Sequence, residues 1–310
     1  MPMMRQKLLL LAALLVLPAI CQAQEPPVFV TKWGAPGSQA GQFNAPTGMG
    51  LDGGGNVYVV DHDRVQKFTN SGQFVGQFGG TGSANGQFNG ALDVAIDPAG
   101  NIYVTDSFNF RIQVFDQTLA YVRQWPAFYA QSYIALDPTG QYAYLARPDS
   151  IRKYRTADGA YLGAWFYSTG AGPFGFAVGP SGDVYTSVGS SFVRRYTALG
   201  AEVSMWGGSG TADGLFQFSE GVAVGPDESV YACDTNSRIQ KFSSTGTFIS
   251  KWGSSGSGNG QFGGYMPDIV VDGSSSVFVL DKGLSRIQKF SYLSTRTLRQ
   301  SLSQLKQRYR

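Results

Sequence analysis

The sequence predicts an all-β fold: a six-bladed β-propeller of four-stranded antiparallel blades, closed by an N-terminal strand that completes the last blade. Three observations predict it. Every tryptophan falls at one phase of a long repeat: Trp33, Trp125, Trp165, Trp206 and Trp252, with Phe78 filling the gap, at steps of 45, 47, 40, 41 and 46 residues. Each step is the length of one propeller blade. Within every repeat, a short run in which large apolar residues flank a small one is followed directly by a Gly- or Pro-bearing turn, as short antiparallel strands require. Finally, the repeat runs from Trp33 to Phe290 of 310 residues, which leaves room for one domain rather than two.

Residues 1–23 read differently from the rest. Arg5 and Lys7 precede the apolar run 8–17, and a small-residue stretch ends at Ala23, the pattern of a removed secretory signal. A secreted or periplasmic protein is expected, with the propeller in 24–290 and a basic tail in 291–310. The apolar stretch 8–20 is shorter than the roughly 20 residues a bilayer core needs, so no transmembrane anchor is expected. Leu17-Pro18-Ala19-Ile20-Cys21 faintly resembles a lipobox and makes a lipoprotein the alternative, although Ile20 stands where a small residue is expected. Cleavage leaves Cys233 as the only cysteine, so no intramolecular disulfide forms. Cys233 shares a strand phase with Val60, Thr105 and Leu280 and is predicted to be a buried small residue, not a nucleophile.

The inner strands are predicted at residues 49–51, 94–96, 134–136, 176–178, 222–224 and 269–271, where a period-2 pattern fits a strand covered on both faces, one of them crowded. Turns of Asp/Gly-Pro-x-Gly type follow, as in Asp97-Pro98-Ala99-Gly100; Pro presets the first turn dihedral and Gly accepts positive φ. Second strands such as 101–105 and third strands such as 238–242 come next, and the fourth ends at the Trp/Phe site. The last repeat runs out after Phe290 without a tryptophan. Its missing strand is Val28-Phe29-Val30-Thr31-Lys32-Trp33, and ring closure by that strand removes two open sheet edges.

Asn-Ile-Tyr-Val-x-Asp at 101–106, Arg-Ile-Gln-Lys-Phe at 238–242 and 286–290, and Gly-Gln-Phe linkers at Gly41, Gly86 and Gly260 resemble the NHL-repeat family of six-bladed propellers over about residues 28–290. The resemblance is specific for fold. It leaves activity open, because members bind proteins, RNA or ligands and a few are enzymes. An Asp-to-Arg pairing is expected to brace the blades (Asp106 with Arg111, Asp234 with Arg238, Asp281 with Arg286) and is missing from blades 3 and 4, at 144–146 and 185–187.

Loops leading into the inner strands and loops between second and third strands share one face. On the first set, Asp93, Glu220 and Asp268 are expected near the channel, where convergent hard oxygens suit Ca²⁺. The competing reading has these acids capping turns or facing channel water, and no EF-hand-like spacing supports a metal. The second set offers His62, Asp63, Phe108, Phe110, Asp149 and Asn236 to a partner, with aromatic anchors the most valuable. Phe108 and Phe110 packed on a neighbouring blade is the other reading. His62 is the sole histidine, which excludes the multi-histidine zinc site of the amidating lyases that share the fold.

Without the signal and with the five basic residues of the tail set aside, the propeller body has 17 bases against 21 acids, the wrong sign for a nucleic-acid binder. In the tail, Leu298, Leu302 and Leu305 stand at helical spacing, as in a short amphipathic helix touching an acidic surface or a membrane, or a frayed terminus. The expected function is a monomeric, non-catalytic binding or scaffold module, without a cofactor, for a protein, peptide or glycan. The alternative is a calcium-dependent, lactonase-like hydrolase using the channel carboxylates.

Overall fold

The computed structural model describes residues 25–127, 133–166, 173–188 and 191–293. The signal segment and the tail from residue 294 lie outside them. Six four-stranded antiparallel sheets stand around a ring. Blade 1 is Pro46–Leu51, Val57–Asp61, Arg64–Phe68 and Phe74–Gly79; blade 2 is Ala91–Ile96, Ile102–Asp106, Arg111–Phe115 and Tyr121–Pro126. Blades 3, 4 and 5 begin at Tyr133–Leu136, Pro173–Val178 and Ser219–Val224 and end at Tyr161–Phe166, Glu202–Gly207 and Phe248–Trp252. Blade 6 takes Asp268–Val271, Val277–Asp281 and Arg286–Ser291 from the C-terminal end and Val28–Trp33 from the N-terminal end. The last two strands pair antiparallel from Val28 opposite Ser291 to Trp33 opposite Ile287, which is the closure the sequence predicts.

The apolar core is divided into six clusters, one at each interface between blades. The inner-strand pattern explains the division. Large residues such as Val94, Ile134, Val222 and Ile269 pack back on the preceding blade. The small residue between them (Ala95, Ala135, Ala177 or Ala223) faces the following blade, where space is tight. At Gly50 even a Cβ would come within 2.7 Å of Val94 O. Each fully buried large aliphatic contributes on the order of 1.5–3 kcal/mol.

The tryptophan ladder lies in these interfaces. Each indole packs edge or tilted onto an aromatic ring, as Trp125 does on Tyr103 at 5.8 Å and Trp252 on Phe290 at 5.9 Å. All five indole N–H groups are buried without an acceptor, so the residues act by packing alone. Room for the indole comes from a glycine in the next blade's last turn. A Cβ on Gly72, Gly159, Gly200 or Gly246 would lie 2.4–2.7 Å from Trp33, Trp125, Trp165 or Trp206. Where Phe78 replaces tryptophan, the matching turn position carries Leu119 at φ 71°, packed on the same cluster as Phe78. Leucine fills the volume the smaller ring leaves.

A second recurring contact was not legible in the sequence. The third-strand cation lies over the ring directly opposite on the second strand: Lys67 over Tyr58 at 4.9 Å, Lys241 over Tyr231 at 5.2 Å and Lys289 over Phe278 at 5.2 Å. Each such pair is worth about 0.5–2 kcal/mol. After blade 6 the chain turns toward blade 5, where the Tyr292 ring also covers Lys241 at 4.8 Å. Cys233 is fully buried, and burial pushes its thiol well up, as befits a packing residue.

Candidate functional site

The loop face is built on a clamp that recurs in blades 1, 2, 5 and 6. Asp61, Asp106, Asp234 and Asp281 end the second strands, are fully buried, and pair with Arg64, Arg111, Arg238 and Arg286 at 2.8, 2.7, 2.9 and 2.8 Å. Both partners also hold the linker that leads into their blade. In blade 2, Asp106 accepts the Asn89 N–H, and Arg111 donates to the carbonyls of Ala84 and Gln87. Gln113 adds two bonds, accepting from Gly86 N–H and donating to Gln87 O. The linker phenylalanines Phe43, Phe88, Phe216 and Phe262 are thereby driven to full burial. In blades 3 and 4 the strand positions that pair Asp106 with Arg111 in blade 2 are occupied by Ala146 with Ile151 and by Val188 with Phe192, so the pairing is missing there. Arginines at other positions of the third strands form their own pairs there, Arg155 with Asp158 at 2.6 Å and Arg195 with Asp183 at 2.6 Å.

On this frame the six loop residues have different fates. Phe108 and Phe110 project, 54% and 51% exposed. Their loop is a 3₁₀ turn, Ser107–Asn109, in which the backbone is pinned: Phe108 N–H donates to Asn89 O, Phe110 N–H to Ser107 O, and Phe110 O accepts from Ala127 N–H. Between the two rings, Asn109 turns inward onto Asp106 and the Gly82 carbonyl. Phe110 has a left-handed backbone at φ 53°, costly for a bulky residue; Ser237 and Ser285, which also stand immediately before a clamp arginine, share it, so the recurring loop imposes the conformation. Gly90, with positive φ, leaves the space on which the Phe108 ring lies.

His62 also has a left-handed backbone, and its exposed ring meets the Asp63 carboxylate at 3.2 Å. Asp63 itself is a correction to the surface reading: it is buried and ties blade 1 to blade 2 by accepting from the Thr81 hydroxyl and Gly90 N–H. Asn236 likewise spends its amide on Asp234. Asp149 stays exposed, beside Arg147 at 3.7 Å.

The channel acids do not line up as a ligand cage. Asp93 accepts its own neighbour Val94 N–H at 2.8 Å and, across the interface, Ile134 N–H of blade 3 at 2.9 Å. Asp268 accepts Ile269 N–H and, across the closure, Met49 N–H of blade 1. Glu220 accepts Met266 N–H at the blade 5–6 junction. They act as stitches between blades. Burial pushes Asp93 and Glu220 up to about 7, and burial plus the charge of Asp93 drives Asp268 well above the usual carboxylate range. Among the described residues no three His, Cys, Asp or Glu side chains are grouped to hold a metal ion. The signal the sequence did carry is that Asp93 and Asp268 both stand immediately before an inner-strand aliphatic, a phase the other blades fill with Gly48, Tyr133, Gly175 and Gly221.

Ring, closure and clamp define the class: a six-bladed β-propeller with a structured loop face and a central channel. Residues 88–115, which span the clamp of blade 2 from Phe88 to Phe115, match the family model described as NHL repeat. The chain is thus a six-bladed β-propeller that carries a recognisable NHL repeat in blade 2. No curated protein matches it. Among solved structures it is similar to a structural-genomics protein of unknown function from Bacteroides thetaiotaomicron VPI-5482, with a TM-score of 0.68 and 16% identity over 86% of this chain and 76% of that one. That likeness concerns fold alone. No helix among the described residues is long and apolar enough to cross a membrane.

Proposed function

We propose that this propeller is a non-catalytic binding module outside the cytoplasm, which takes a protein, peptide or glycan on its loop face with Phe108 and Phe110 as anchors. The carrying observation is the blade 2 loop: two half-exposed rings on a backbone whose hydrogen bonds are satisfied and whose intervening asparagine is pinned inward. Such anchors lose little conformational entropy on binding, and buried aromatics dominate interface energies. The apolar run 8–17 behind Arg5 and Lys7 supports the extracytoplasmic setting. His62 and Asp149 extend the same face with polar contacts.

The test is capture from the extracellular fraction with the mature protein and with Phe108→Ala/Phe110→Ala. The reading expects a species held by the parent and lost by a variant that melts at the parent's temperature. Equal capture by both proteins would overturn it.

A further inference from the structure

The central channel has a volume of about 520 Å³, inside the range of small-molecule sites, roughly 300–1,000 Å³. Its lining runs from Asp93 and Asp268 at the loop end to the turns at Asp52, Asp97, Asp137 and Asp272, on the face opposite Phe108 and Phe110. Asp97 is four residue steps along the strand from Asp93, so the tube is about 13 Å long at the rise of a strand. One aliphatic side chain per blade rings it: Leu51, Ile96, Leu136, Val178, Val224 and Val271, each only partly buried against the preceding blade. Small residues such as Gly50, Ala95 and Ala135 complete the wall.

The charges in the lining have one sign. It contains six carboxyl groups and no basic side chain. Those at the mouth are satisfied by their own turns, as Asp97 is by Ala99 N–H, Asn101 and the Tyr103 hydroxyl. The inner pair, Asp93 and Asp268, accepts only backbone N–H groups, and no cation stands within ion-pair distance of either among the described residues.

We propose that this channel is a binding site for an aliphatic ammonium compound, entered from the turn face, with the alkyl chain against the aliphatic ring and the ammonium at Asp93 and Asp268. The apolar wall removes the chain from water. The ammonium adds charge-assisted hydrogen bonds to the free lone pairs of the inner carboxylates. An anion meets six carboxyl groups, and a neutral alcohol gains the wall contacts alone.

Isothermal titration at pH 8 with octylammonium, octanol and octanoate tests this. The expected result is one octylammonium per protein, bound at least tenfold more tightly than octanol, with no binding of octanoate. Leu136→Trp fills the tube and abolishes both uptakes; Val178→Phe serves the same purpose if the first variant fails to fold, as judged by its melt. Asp93→Asn/Asp268→Asn, which removes both inner carboxyl groups, brings octylammonium down to the affinity of octanol while octanol binding stays. Octanoate binding as tight as octylammonium would overturn the proposal. So would uptake of several molecules unaffected by the filling variants, or the absence of any octylammonium binding.

Discussion

The exchange of Trp-on-Gly for Phe-on-Leu at one interface can be reversed. In the parent, Leu119 N–H donates to Asp116 O as Gly72, Gly200 and Gly246 N–H donate to their own turns, so the four residues occupy one structural position. Leu119 alone among them must hold φ 71° with a side chain, at a cost of about 1–2 kcal/mol. Phe78→Trp alone forces an indole toward Leu119, and overpacking of this kind costs about 1–3 kcal/mol. Leu119→Gly alone relieves the backbone but removes a half-buried leucine worth about 1–1.5 kcal/mol, so the net change is close to zero. Combined, the two substitutions rebuild the arrangement at Trp33 and Gly72, and the strain of the first is cancelled. A double-mutant cycle from urea unfolding should return a favourable coupling of about 2 kcal/mol. In melting temperature, Phe78→Trp alone drops about 4–8 °C, at about 2–4 °C per kcal/mol for a domain of this size, and the double variant recovers it. Additivity within about 0.5 kcal/mol would refute the volume argument.

Deleting residues 28–33 opens blade 6 and removes Trp33, which bridges Phe278 and Phe68; melting should fall by about 10 °C or more, or the chain should aggregate. Asp106→Ala leaves Arg111 unpaired under the linker and should cost about 3–5 kcal/mol in urea unfolding, with faster amide exchange over 82–89. Asp93 has a folded pKa above its unfolded one, so its protonated form is favoured in the fold: its own contribution to stability is fully present below about pH 4 and is lost as pH climbs from about 4 to about 7. Asp268 and Tyr133 share its surroundings. Asp93→Asn should flatten the stability-versus-pH slope in that window by up to about 1.4 kcal/mol per pH unit, and an unchanged slope would count against the shift.

The sequence carried the blades because their period, turns and alternation repeat six times, and even the displaced closing strand is readable from the tryptophan absent after Phe290. The Asp–Arg braces were legible for the same reason. What the clamp grips was not, because the bonds of Arg111 to Ala84 and Gln87 cross 27 and 24 residues to backbone carbonyls that carry no residue signature. The acids illustrate the limit. Of the three acids expected near the channel, Asp93 and Asp268 line it and Glu220 does not, and the carboxylates of the first two aim at the next blade's N–H, an orientation set by interface geometry. Asp63 and Asn236 read as surface groups by position and turn inward for the same kind of reason, whereas Phe108 and Phe110 project because the pinned Asn109 between them leaves both rings outward.

The central claim is that the macromolecular partner is held on the loop face by Phe108 and Phe110, and not by the exposed apolar side chains of the outer strands. Val203 and Met205, on the outer strand of blade 4, are exposed by 49% and 47%, close to Phe108 and Phe110, and provide a matched control. Affinity for the captured partner should be measured for Phe108→Ala/Phe110→Ala and for Val203→Ala/Met205→Ala side by side. The account predicts at least a tenfold loss, about 1.4 kcal/mol, for the first and none for the second. Equal losses, or a loss confined to the blade 4 variant, would contradict it.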